Sequence, residues 1–479
     1  MPAAVAVDES CPALLEEVST SEVESSYASH PQRWIVGAIA GSLAVLGALA
    51  VVGSSLVSQK LGSKGGGLAR TTENVILAEA ASHITPLYLQ HGLDYMAEVT
   101  IGGQRFNLTM DAGSSLGYIP GTDRCPKTGY KGPCYSGNKS LKEGYVGTGT
   151  VMRPCIVSGQ EVSIAGVEST VGFSLIKSTS GNYGCGGDAY PVGTWGLGYP
   201  MSGEFNTLAD KVKAENQLSK EARARTVQFF QMQTMNSLGV MLQDNGMDQT
   251  WGFQCCLGGV MKEGRAAGSL TVGSDNPKAY SGELVKVPVN VEASESGGHW
   301  CVGLESISIG DKKFEELGKV FKKGCNAVFD TGDATGMSIP WEPWSYFFMD
   351  LLGFEASQLQ DVRTSFNKEE VIGLLTSLGI DGDCITWTDL KKLPDITLAF
   401  VGGTTLTLPP SKYIWGPQAN YEQTDECWGK PAAIDFAISL IQGDTPVELG
   451  TLITHTYYTQ FTLGPDPYVG FAQIEGCKY

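Results

Sequence analysis

Histidine is scarce in this sequence, and the few histidines are poorly placed for a metal site. The five are His30, His83, His91, His299 and His455, and no two of them form an HExxH or an i, i+4 pair. A zinc peptidase is therefore not expected, because its metal needs such a pair on one helix. No metal site of any kind is predicted.

Basic residues are outnumbered by acidic ones. Lys and Arg total 33 against 51 Asp and Glu, which gives a formal charge of −18. No basic run is long enough to follow a phosphate backbone. A nucleic-acid partner is therefore not expected.

Paired CxxC spacing is also absent, although the chain holds 12 cysteines. So many cysteines are unusual in a cytosolic protein and are typical of disulfides formed in an oxidising compartment. Cys11 precedes the hydrophobic segment described next and is set aside, which leaves an odd number. At least one thiol should therefore be free or bonded to another chain.

Charged residues are missing from one long hydrophobic segment, residues 34–57. About 20 apolar residues suffice to cross a bilayer as a helix, so the segment predicts a transmembrane helix. A cleaved signal peptide is the alternative, although its apolar core would be shorter and nearer the N-terminus. Residues 1–33 are predicted to form a disordered cytoplasmic tail, and residues 58–92 a stalk or linker.

The charges around this segment and the cysteines indicate opposite orientations. Lys60, Lys64 and Arg70 follow it, which alone would favour a cytoplasmic C-terminal part. The cysteines, and the glycosylation sequons at Asn107 and Asn138, favour a lumenal or extracellular one. The expectation is a single-pass glycoprotein of the endomembrane system, such as a vacuole or lysosome, or of the cell surface.

Long amphipathic helices are rare after residue 93. Short apolar runs such as YMAEVTIGG, FNLTMDAG and ITLAFVGG are separated by turn residues, which predicts an all-β body. The exception is residues 206–242, where the apolar spacing is helical. Because one core rarely serves so long a chain, two lobes are predicted, over residues 93–270 and 271–479.

Two Asp-x-Gly tripeptides each follow an apolar strand. They are Asp111-Ala112-Gly113 after FNLTM and Asp330-Thr331-Gly332 after NAVF. A single copy is most simply a turn, in which glycine permits a sharp change of direction. Two copies about one lobe apart predict a pair of carboxylates that share a proton and act as general acid and base.

These segments resemble the signatures of the pepsin-like aspartic protease family. YMAEVTIGGQRFNLTMDAGSSLGYIP is similar to the first signature and KGCNAVFDTGDATGMSIP to the second, with Asp111 and Asp330 at the catalytic positions. The resemblance implies a bilobal all-β fold with pseudo-twofold lobes and a central cleft. It implies an aspartic endopeptidase, here a membrane-anchored monomer, that cleaves peptide or protein substrates at acidic pH without a cofactor.

The resemblance also assigns further residues. It implies disulfides between Cys125 and Cys134 and between Cys384 and Cys427, and it makes Cys301 a candidate partner for Cys325. A flap that closes over the substrate is implied over residues 145–150. The residues implied to bind substrate or form the flap are Gly113, Ser114, Tyr118, Tyr145, Val146, Gly147, Thr148, Gly149, Gly332 and Asp333.

Three residues depart from the family pattern. Ala112 stands where a hydroxyl residue usually braces the two aspartate loops, and Asp333 stands where a hydroxyl residue usually bonds the second catalytic carboxylate. In the flap, Val146 occupies the place of a tyrosine, with Tyr145 one position early. These departures support an alternative, a catalytically inactive member of the same fold that binds peptides or a partner protein in its cleft.

Overall fold

Parts of the chain from residue 83 to residue 475 are described by the computed structural model. They are residues 83–90, 94–114, 117–120, 135, 141–143, 152–179, 193–200, 237–256, 266–315, 317, 325–333, 336–355, 376, 379, 387–415, 435–441 and 446–475. The predicted tail and hydrophobic segment lie outside them. Within these ranges, no helix has the length and apolar character needed to cross a membrane.

Strands dominate the described residues. Strands β1 to β12 span His83–Gln90, Asp94–Ile101, Gln104–Asp111, Tyr118–Pro120, Leu141–Glu143, Met152–Ile164, Val167–Thr179, Thr194–Gly196, Thr250–Cys255, Ala266–Val272, Tyr280–Pro288 and Trp300–Val302. Strands β13 to β24 span Leu304–Ile309, Lys312–Phe314, Ala327–Phe329, Met337–Ile339, Ile396–Phe400, Thr405–Leu408, Ile414–Trp415, Asp435–Phe436, Ser439–Leu440, Val447–Leu449, Tyr457–Thr462 and Tyr468–Ile474.

The helices are short. Helices α1 to α6 span Ser237–Asp244, Val291–Gly297, Trp341–Ser345, Trp387–Leu390, Pro410–Tyr413 and Thr451–Thr456, and a π-helical segment, Tyr346–Leu351, follows α3. Of the helix predicted over residues 206–242, the structure describes only the last part, where α1 buries Leu238 and Met241. The all-β prediction for the body is confirmed by this strand content.

Thirteen of the strands form one sheet, in the order β11-β24-β23-β9-β10-β1-β2-β3-β8-β4-β7-β6-β5. A second sheet has the order β12-β15-β22-β16-β21, and a third has the order β14-β13-β17-β18. The first part of strand β3 shows the alternation expected of a strand with one buried face, and from Leu108 to Met110 every residue is buried. Phe106, Leu108 and Met110 are buried, whereas Arg105 and Asn107 are exposed. The strand thus delivers Asp111 at its buried end.

The predicted lobes share the thirteen-stranded sheet. Strand β9 from the first half pairs with β23 from the second, with Phe253 opposite Thr459. The boundary predicted between residues 270 and 271 falls inside β10 and must be moved, because this strand continues to Val272. Beside the shared strands, the rings of Trp251 and Trp300 pack edge to face with centroids 5.6 Å apart.

Strand β1 shows that the last part of the predicted stalk belongs to the folded body. Residues 58–92 were expected to form a linker, but His83–Gln90 is a strand inside the sheet. It pairs with β10 on one side and with β2 on the other, and Leu87 is fully buried. The segment escapes a pattern-based prediction because the polar Thr85 and the proline at position 86 interrupt its apolar residues.

Two cysteine predictions fall on described residues. Cys301, in β12, and Cys325, just before β15, form a disulfide. Cys255 is a buried free thiol, as the odd cysteine count predicts. Burial raises the pKa of Cys255 to about 12, so this thiol stays protonated and unreactive at physiological pH. Cys125, Cys134, Cys384 and Cys427 lie outside the described residues.

Candidate active site

Asp111 is held at the end of β3 by backbone contacts. Strand β3 runs parallel to β8, and the Leu197 amide donates to the Asp111 carbonyl at 2.7 Å. The amides of Gly113 and Ser114 donate to Asp111 Oδ1 at 2.8 and 3.1 Å. Ser114 therefore reaches this carboxylate through its backbone. Tyr118 begins β4 and pairs with Thr194 of β8.

Asp330 occupies the same position at the end of β15. This strand runs parallel to β22, and the Asp330 amide donates to the Leu449 carbonyl at 3.1 Å. The Gly332 amide donates to Asp330 Oδ1 at 2.9 Å, as the Gly113 amide does to Asp111. The two Asp-x-Gly turns thus repeat one local structure.

The structure brings the two aspartates together. Their side chains hydrogen-bond to each other, which requires a proton on one of them. A Cβ atom on Gly113 would overlap the Asp330 carboxyl group, and one on Gly332 would lie 2.6 Å from Asp111 Cγ. Only glycine, which has no Cβ atom, leaves room at each of these positions for the carboxyl group of the opposite turn.

Only half of the expected brace between the turns is present. Thr331 Oγ1 donates to the Met110 carbonyl at 2.5 Å and accepts from the Ala112 amide at 2.8 Å. Both Thr331 and Ala112 are buried. Because Ala112 has no hydroxyl group, its side chain offers no reciprocal bond to the turn of Asp330.

The surroundings of Asp330 favour its protonated form. Burial, reinforced by the negative charges of Asp111, Asp333 and Glu448, raises its pKa well above the usual value of 3.8. Asp333, which stands in the place of a hydroxyl residue, lies close enough to Asp330 for its charge to act on that carboxyl group. The Asp333 amide donates to the Asp330 carbonyl at 3.1 Å, and the Thr451 hydroxyl donates to the Asp333 carbonyl at the same distance.

Sequence reasoning missed two residues of the site, His299 and Glu448. His299 lies between α2 and β12, where the Trp300 indole anchors the chain by donating to the Leu197 carbonyl at 2.8 Å. Burial lowers the pKa of His299, opposed by the charge of Asp111 and by a hydrogen bond to the Gly113 backbone. No local motif marks either residue, because each reaches the site only through the packing of distant strands.

The predicted flap lies outside the described residues. This applies to Tyr145, Val146, Gly147, Thr148 and Gly149.

Two neighbouring carboxyl groups at matching strand ends, each fixed by its own turn, have the arrangement that general acid/base chemistry by a class of paired aspartates requires. A comparison with family models agrees with this class. The model of the family described as eukaryotic aspartyl protease matches residues 94–474, and the chain belongs to this pepsin-like family. No curated protein matches the chain at a significant level of similarity.

Proposed function

We propose that this protein is an active aspartic endopeptidase that cleaves peptide or protein substrates at acidic pH. The hydrogen-bonded pair of Asp111 and Asp330 carries the proposal, because a shared proton equips one carboxyl group as acid and the other as base. Membership of the family supports this activity in general. The proposed cleft lies between two lobes related by the repeated Asp-x-Gly turns.

In the proposed mechanism, Asp111 acts as the base. Its carboxylate, held by the amides of Gly113 and Ser114, removes a proton from a water molecule that attacks the scissile carbonyl carbon. Asp330 gives its proton to the carbonyl oxygen as the C–O double bond opens. The tetrahedral intermediate then collapses, the C–N bond breaks, and the proton gained by Asp111 passes to the leaving amine. As the carbonyl group re-forms, one hydroxyl group of the intermediate returns its proton to Asp330. The acid and amine products then together contain the atoms of the water molecule, and the pair is again singly protonated.

The proposed working pH follows from the number of protons on the pair. The reaction requires one proton shared by two carboxyl groups, so activity should fall when both are protonated and again when both are ionised. Burial and three neighbouring carboxylates retain the proton on Asp330. The singly protonated pair is therefore maintained over a broad range of mildly acidic pH.

The proposed location is the lumen of an endomembrane compartment or the cell surface, with residues 34–57 as a single membrane anchor. Two observations support it: the absence of charge from that segment, and the Cys301–Cys325 disulfide, which requires an oxidising environment to form. An acidic vacuole or lysosome would also match the proposed working pH.

The test is cleavage of an unfolded protein by the purified full-length chain between pH 3 and 7. We expect acid-dependent cleavage that pepstatin abolishes and that a metal chelator leaves unchanged. Cleavage blocked by the chelator alone would overturn the proposal. Peptide binding with no cleavage at any pH would instead establish the inactive alternative.

A further inference from the structure

Glu448 stands in the middle of a row of side chains that crosses the sheet carrying Asp330. In β22 it pairs with Val328 of β15 on one side and with Ser338 of β16 on the other. Ser338 pairs in turn with Ser439 of β21. The Ser338 hydroxyl hydrogen-bonds to the Glu448 carboxyl group, and the hydroxyl oxygens of Ser338 and Ser439 are 2.5 Å apart.

The position beside Asp111 that corresponds to Glu448 is occupied by Thr194, which has no carboxyl group. Strand β8 runs parallel to β3 as β22 runs parallel to β15, and Thr194 pairs with Thr109, two residues before Asp111. Glu448 pairs with Val328, which stands two residues before Asp330. The two halves of the site therefore differ here by one acidic side chain, on the Asp330 side only.

Glu448 faces charged groups from two directions among the described residues. Asp333 acts on it from the turn, and Asp330 stands at the end of the neighbouring strand β15. The partners across β16 and β21, Ser338 and Ser439, are uncharged. Burial and the charge of Asp333 raise the pKa of Glu448 to about 7, against the opposing hydrogen bond from Ser338. Glu448 therefore ionises only as the pH approaches 7, where its negative charge opposes the loss of the proton from Asp330 at the basic edge of the proposed working range.

We propose that Glu448 is a positioning residue for the peptide hydrolysis proposed above: together with Asp333, it forms a second pair of carboxyl groups behind Asp330. This pair keeps the catalytic proton on Asp330 and leaves Asp111 as the base. The inference rests on the proposed function, and it adds which of the two aspartates begins the reaction as the acid and which as the base. The acid and base roles at the start of each cycle are fixed by an acidic side chain that only one half of the site possesses.

The first test compares full-length wild-type protein with Glu448→Gln by measuring kcat/KM for a peptide substrate against pH. Without the Glu448 charge, Asp330 should release its proton at lower pH. The fall in kcat/KM on the high-pH side of the profile (the basic limb) should therefore shift to lower pH by about one unit. The acid limb should stay in place. Glu305→Gln, which neutralises an exposed carboxylate on β13, is the matched control and should leave both limbs unchanged. A basic limb in Glu448→Gln that superimposes on that of wild type overturns the proposal.

A second variant is needed in case the glutamine side chain of Glu448→Gln disturbs folding. Glu448→Thr copies Thr194, which the same strand position accommodates in the other half of the site. Its basic limb should move in the same direction as that of Glu448→Gln. Cleavage by Glu448→Thr with a wild-type pH profile counts against the positioning role.

A readout independent of activity separates this inference from the proposed function. The folded-state pKa of Glu448 is raised from 4.5 to about 7, so its stabilising contribution is complete below about pH 4.5 and is lost as the pH rises through 7. The melting temperature of Glu448→Gln relative to wild type should therefore increase between pH 4 and pH 8. A constant difference overturns the inference even if the enzyme is active. If wild type cleaves nothing at any pH, the proposed function and the positioning role fail together.

Discussion

At the scale of single residues, the site depends on a brace with one hydroxyl group where two would be expected. Thr331 Oγ1 serves both the Met110 carbonyl and the Ala112 amide, and all of these groups are buried. Because Ala112 has no hydroxyl group, Thr331 is the one residue of the Ala112 and Thr331 pair whose side chain bonds to the backbone of the opposite turn. Loss of this hydroxyl group should therefore affect stability and catalysis together.

Thr331→Val tests the brace. The substitution keeps the shape of the side chain and leaves a buried amide and a buried carbonyl without a partner, at a cost of about 1–3 kcal/mol. Urea unfolding should show this loss in the free energy of unfolding, and kcat should fall because the carboxyl groups are held less firmly. Thr331→Ser retains the hydroxyl group and is the control. Equal stability of the valine and serine variants would contradict the role of the brace.

The residues of the site differ in how far the sequence could predict them. Asp111 and Asp330 stand in Asp-x-Gly turns after apolar strands, and this local pattern sufficed to select them. Glu448 and His299 carry no such pattern. Glu448 approaches Asp330 through the parallel pairing of β15 with β22, and His299 approaches Asp111 through the packing of a loop. Such pairings join distant parts of the chain, so a reading of local sequence does not contain them.

At the scale of elements, β1 shows where reasoning from local patterns reaches its limit. The strands of the body were predictable because their apolar residues are bounded by turn residues. Strand β1 has a proline and a mixed pattern, and its conformation is fixed by its neighbours β10 and β2. Tertiary pairing overrides weak local preference in this segment.

A pair of substitutions in β1 tests whether the strand belongs to the folded body. Leu87 is fully buried, whereas Ile84 in the same strand is 45% exposed. Leu87→Ala should lower the free energy of unfolding by about 2–5 kcal/mol, because it leaves a cavity in the core. Ile84→Ala should change it by less than about 0.5 kcal/mol. Small and equal effects of the two substitutions in denaturant unfolding would indicate a stalk rather than a strand.

At the scale of the whole molecule, the two halves of the chain are joined by the large sheet and meet at the paired aspartates. Strands β9 and β23 come from opposite sides of the predicted lobe boundary, and the aromatic rings of Trp251 and Trp300 pack beside them. The sequence predicted an all-β body and two repeated turns. It did not predict the shared sheet, because strand order depends on contacts between segments that are far apart in the chain.

The central claim is that Asp111 and Asp330 share one proton and use it to cleave peptide bonds. The most direct measurement compares kcat/KM for a peptide substrate between pH 3 and 7 in wild type and Asp330→Asn, with circular dichroism to establish that both are folded. We predict a bell-shaped profile for wild type and a loss of at least about 10³-fold in the variant, because the asparagine cannot donate the proton. Cleavage by folded Asp330→Asn at the wild-type rate would contradict the claim.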